Sequence, residues 1–183
     1  GTLTVSNLMT WTRGNMDGAG RTVIAPGATL QLINNTVVDV SEWTLENAGT
    51  ILWTGQGIAW HNSAVFTNRA GALWDIQTDN ALYYPGNGSS VARFDNAGTL
   101  RKASTTGTSV FTLPLNNYGV VELLSGRLEF NELNNLNFVT VNSGALLRLN
   151  GGGVVKGTYE VAGGGTVEWA GGSVTLDASA NLA

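Results

Sequence analysis

Few side chains among these 183 residues could do chemistry, and their spacing narrows the choice. The single histidine, His61 in GIAWHNSAVF, has no neighbouring Ser or Cys arrangement for an imidazole base to activate. It therefore reads as an exposed or turn histidine. Attack on acidic polysaccharides uses clustered carboxylates for hydrolysis, or a basic residue with Ca²⁺-binding carboxylates for elimination. This chain has no adjacent acidic pair, and Asp75, Glu122, Glu129, Glu160 and Glu168 are scattered singly. There are no cysteines, which excludes disulfides and thiolate metal sites. No catalytic residue, metal ligand or cofactor is assigned.

The 6 Trp and 4 Tyr offer flat faces of the kind that stack on sugars. Phase argues against most of them. Trp11 alternates with Met9, Trp43 with Leu45, Trp53 with Ile51, Trp60 with Ile58, Trp74 with Ile76 and Trp169 with Val167, which makes them core residues. Tyr83 and Tyr84 differ, because neighbours in a strand cannot both face inward. They lie in QTDNALYYPGNGSS, residues 77 to 90, which reads as an inserted loop. Tyr83 and Tyr84 as stacking faces, with Asp79 and Asn87 as hydrogen-bonding partners, form the candidate ligand-contact surface. The structural alternative packs one tyrosine over an edge and leaves the other in water.

The elements that must position these groups come from a repeat. A glycine followed by a short apolar and polar alternation recurs as GTLTV at Gly1, GTILW at Gly49, GTLRK at Gly98, GVVEL at Gly119, GRLEF at Gly126, GTYEV at Gly157, GTVEW at Gly165 and GSVTL at Gly172. A variant with alanine after the glycine appears at Gly27, Gly71 and Gly144. Gly27, Gly49, Gly71, Gly98, Gly119, Gly144 and Gly165 lie 22, 22, 27, 21, 25 and 21 residues apart, a mean of 23. Such a period marks a solenoid, whose units bury their apolar faces by stacking. Period-2 alternation, abundant Thr and Val, and Gly/Asn punctuation make the unit one of two or three short strands. The prediction is a single all-β domain over 1–183, a single-stranded parallel β-helix of about eight coils. At about 4.8 Å per coil its axis is roughly 38 Å long.

Alternation assigns the faces. In the GT-type phrase the third and fifth residues point inward: Leu3 and Val5, Val121 and Leu123, Leu128 and Phe130, Val167 and Trp169, Val174 and Leu176. The fourth points out, as at Thr4, Arg101, Glu122, Glu129, Glu160, Glu168 and Thr175, with apolar Leu52 as the exception. The GA-type phrase moves by one, placing Leu30 and Leu32, Trp74 and Ile76, or Leu147 and Leu149 inside and Gln31, Asp75 and Arg148 outside. The two phrases then read as two different corners of the coil. Asn47, Asn96, Asn117 and Asn142 precede their glycines by two residues and Asn68 by three. Asn and Gly tolerate the left-handed backbone of a sharp corner, and stacked Asn amides can hydrogen-bond along the axis.

Charged residues are only 12% of the chain and the net charge is −4. With no basic footprint, nucleic-acid binding is not expected. No apolar run approaches the 18 or more residues of a membrane span, so no membrane insertion is expected. The Gly/Asn/Thr-rich, cysteine-free composition suits a secreted bacterial protein. The chain opens inside one repeat phrase and stops soon after another, as a segment of a longer repeat protein would.

The stretches MTWTRGNMDGAGRTVIAPGATLQL, TLENAGTILWTG, AVFTNRAGALWDI and ARFDNAGTLRKA resemble repeats of very large bacterial extracellular proteins of adhesin or filamentous-haemagglutinin-like type. The resemblance covers roughly residues 8 to 149. It implies a right-handed parallel β-helix exported to the cell surface or medium, acting as stalk, spacer or adhesive region. The partners it implies are surface or extracellular polysaccharide, or neighbouring repeat domains of the same chain. A carbohydrate-binding module ranks second, and a polysaccharide lyase or hydrolase trails. Ice binding also trails, because Arg101, Glu122, Glu129, Glu160 and Glu168 interrupt the outward threonines a flat ice-matching face needs.

Overall fold

The structure, a computed structural model, describes residues 1–86 and 91–183. Among the described residues the regular elements are strands of two to four residues, in three parallel sheets of nine, nine and eight strands. Every third strand along the chain joins the same sheet, so each coil contributes one strand to each face of a β-solenoid of about eight turns. The first sheet starts at Thr2–Val5, the second at Leu8–Trp11 and the third at Met16–Asp17. Strands this short and this regularly interrupted cannot bury apolar area alone. Stacking supplies the cover.

The inward phase produces the core. Val121, Leu123, Leu128, Phe130, Leu30, Leu32, Trp74, Ile76, Leu147 and Leu149 are all fully buried. Aromatic rings stack along the interior, with centroid separations of 4.2 Å for Phe66–Phe94, 5.8 Å for Phe94–Phe111 and 5.1 Å for Phe111–Phe130. Trp74 meets Phe66 edge-on at 4.4 Å, a geometry that aligns ring edge with ring face.

Three residues assigned inward are exposed: Leu3 at 48%, Trp169 at 44% and Leu176 at 59%. Their phase is unchanged, since Trp169 pairs with Leu149 and Leu176 with Val155. They occupy the outermost coils, where a neighbour stacks on one side only. Trp43 is also only partly buried, lying across Gly20 at a corner.

The two glycine phrases are not two corners. Gly27, Gly49, Gly71 and Gly98 all precede strands of the second sheet, with Leu30, Ile51, Trp74 and Leu100 in one register. The extra residue of the GA type is absorbed in the turn. Ala25 to Ala28 forms a turn closed by the Ala28 N–H to the Ala25 carbonyl at 3.0 Å, with Gly27 at φ 79°. At Gly49 the requirement is space, because a Cβ there would sit 2.3 Å from the Ala28 carbonyl oxygen. Gly144 and Gly165 instead precede Leu146–Leu149 and Thr166–Trp169 of the third sheet, so the seven glycines do not form one stack.

The asparagine ladder exists with one change of membership. Asn47 donates through Nδ2 to Asn68 at 2.9 Å, Asn68 to Asn96 at 2.8 Å, Asn96 to Asn117 at 2.8 Å and Asn117 to Asn135 at 2.9 Å. Each of these donors also reaches a backbone carbonyl four strands further on in chain order, at Leu73, Thr99, Val120 or Phe138. All five amides are fully buried. Asn142 is exposed and outside the ladder, because it follows the second sheet whereas the ladder lies between the first and second.

Candidate functional site

The segment that begins at residue 77 is built into the coil at its start. Thr78 donates to the Gly55 carbonyl at 2.9 Å, and Asn80 donates to that carbonyl at 3.0 Å and to the Thr78 hydroxyl at 2.8 Å. Ala81–Tyr83 is a strand of the third sheet, in which Leu82 is fully buried in line with Ile58 and Phe111. Residues 81–83 are therefore regular structure within the range read as a loop.

Of the four candidate contact residues, Asp79, Tyr83 and Tyr84 are described, and each is engaged with the coil. Tyr83 is half-buried, pairs with Ala59 and passes 3.5 Å from the position of a Cβ on Gly57. Tyr84 packs against the hydrophobic core, and its N–H donates to the Thr112 hydroxyl at 2.8 Å. Asn87 lies outside the described residues. Asp79 turns toward the next coil, where its carboxylate meets Lys102 Nζ at 2.8 Å.

Lys102, which is not among the candidate residues of the sequence, is the buried cation of this region. It occupies the fifth, inward place of GTLRK, where GTILW has Trp53, and it is fully buried. Its ammonium donates to the Asp79 carboxylate at 2.8 Å, the Ser109 hydroxyl at 2.9 Å, the Thr78 carbonyl at 3.3 Å and the Thr105 hydroxyl. Ser109, itself buried, donates to the Thr78 carbonyl at 2.6 Å. A buried ammonium demands such a set of acceptors, since desolvating an unpaired charge is costly. Partial burial pushes Asp79 up, but hydrogen bonds with Lys102 and Thr105, the Lys102 charge and a backbone bond from Gly107 outweigh it. Its carboxyl is held below the ordinary carboxylate value. The phase rule that buries Trp53 was the available signal for Lys102.

Three of the five outward carboxylates, Asp75, Glu129 and Glu168, are single in sequence but engaged in space. Asp75 is only 6% exposed, because Arg101 approaches it at 3.3 and 3.2 Å and the Gln77 amide donates to it at 2.8 Å. That carboxylate raises the Arg101 guanidinium above its ordinary value. Glu129, Arg148 and Glu168 form one register column, with Arg127 making ion contacts to Glu129 at 2.6 Å and Glu168 at 3.9 Å. Glu46 is held between Arg21 and Arg69. These groups compensate one another along the axis.

His61 ends its strand facing outward, with Nε2 2.8 Å from Asp39 Oδ1. Asn62 and Ser63 follow at φ 46° and 62°, in a turn closed by the Ala64 N–H to the His61 carbonyl at 2.9 Å. Asn62 also donates to the Ser41 hydroxyl at 2.9 Å. Among the described residues, no three His, Asp or Glu side chains converge as a metal-binding set, and no helix is long and apolar enough to cross a membrane. No protein-family model, curated protein or solved structure matches the chain.

Proposed function

We propose that this chain is a structural, adhesive-type β-solenoid segment of a secreted or surface-exposed bacterial protein, holding other parts of that protein apart. The observation that carries this reading is the unbroken amide ladder from Asn47 to Asn135, which ties each coil to the next inside the molecule. Buried hydrogen bonds of this kind, with the aromatic stack beside them, couple neighbouring coils into a rod. The outward charges support the same role, because pairs such as Arg101 with Asp75 and Arg148 with Glu168 bridge successive coils. Neighbouring repeat domains and extracellular polysaccharide are the partners such a spacer would meet.

Single-molecule force spectroscopy on the segment, pulled from its two ends, tests this function. A spacer should resist extension until a discrete unfolding event, and Asn96→Ala should lower the force of that event. A chain that extends smoothly without a resolved event would overturn the spacer reading.

A further inference from the structure

Leu52 is the apolar residue that breaks the outward-polar pattern, and its neighbourhood is unusual. On the outer face of the second sheet, Gln31, Leu52 and Asp75 form one register column. Ile33, Thr54 and Gln77 directly follow the three strands of that column and stack beside it, their backbone N–H groups bonded to Trp11, Leu32 and Trp53. Between the columns lies a hollow of about 220 Å³ lined by Gln31, Ile33, Leu52, Thr54 and Gln77. Ile33 is 44% exposed there.

We propose that this hollow binds a single neutral sugar ring. The floor contributed by Leu52 and Ile33 suits the apolar C–H face of a pyranose. Two primary amides and one hydroxyl on its rim match sugar hydroxyls, because each carries both donor and acceptor capacity. The Gln31 side chain has no hydrogen-bond partner among the described residues, while Gln77 is oriented by its bond to Asp75. Charge excludes ionic ligands. The nearest carboxylate, Asp75, is already compensated by Arg101 and covered by Gln77, so no unpaired charge faces the hollow. Size excludes a longer chain held along its length, since drug-sized ligands occupy about 300–1,000 Å³. An extended peptide would need an open strand edge, and here the sheet presents its face. This site is separate from the tyrosines of residues 77 to 90 and goes beyond the spacer role.

The test is a methyl- and amide-resolved NMR titration of the segment with D-glucose, D-galactose and N-acetylglucosamine, and separately with D-glucuronate. At least one neutral sugar should shift the Leu52 and Ile33 methyls and the Gln31 side-chain amide saturably. Gln31→Ala and Gln77→Ala should each weaken that binding roughly tenfold, the loss of one hydrogen bond, with unchanged melting for Gln31→Ala. Leu52→Ser should abolish it. The proposal is overturned if no neutral sugar saturates these signals, if glucuronate binds as well, or if Gln31→Ala keeps full affinity.

Discussion

Lys102 Nζ and Asp79 Oδ1 lie 2.8 Å apart across two successive coils, the lysine fully buried and the aspartate 43% exposed. The pair joins the solenoid interior to its surface at the start of the longest repeat. Breaking it from the two sides is therefore unequal. Asp79→Asn leaves a buried ammonium with neutral acceptors only and should destabilise by about 1–3 kcal/mol, less than a fully buried pair because Asp79 meets water. Asp79→Asn combined with Lys102→Met should unfold at higher denaturant than Asp79→Asn alone. Chemical denaturation of the two variants and the parent protein measures this.

The same pair gives a pH dependence of known sign. Asp79 has a folded-state pKa below its unfolded value, so its contribution is complete above the unfolded value, about 4, and is lost as pH falls through the folded one. Melting temperature should decline as the solution is acidified below about pH 4. Asp79→Asn should flatten that decline, and an identical profile in the variant would assign the acid sensitivity to other groups.

Asn96→Ala removes two donated bonds, to Asn117 and the Val120 carbonyl, and the acceptor used by Asn68. Buried polar groups left unpaired cost about 1–3 kcal/mol each, so a loss of about 2–4 kcal/mol is expected. Asn142→Ala, at an exposed site, should stay within about 0.5 kcal/mol. Comparable losses at the two positions would show that the ladder contributes little.

Phe130→Ala should cost about 3–5 kcal/mol, because the ring is fully buried beneath Leu149 and beside Phe111. Trp169→Ala should cost clearly less, although Trp169 holds the same inward register, since nearly half of it meets solvent. Glu129→Ala should stay within about 1 kcal/mol despite its Arg127 contact. Equilibrium unfolding followed by circular dichroism ranks the three.

Alternation and punctuation made much of the fold legible. The phrase GVVEL at Gly119 specifies a strand with Val121 and Leu123 inside and Glu122 outside through local backbone geometry alone, and all three lie there. The fifth place of GTLRK likewise determined that a lysine would point into the core. What the sequence could not determine was which residues become axial neighbours. Coil length varies with each corner, so laddered asparagines are 18 residues apart at Asn117 and Asn135 but 28 at Asn68 and Asn96. Only stacking placed Asp79 against Lys102, set Arg148 between Glu129 and Glu168, and left Trp169 uncovered. A face is decided by the next peptide unit, whereas a neighbour along the axis is decided by the register of a whole turn of chain.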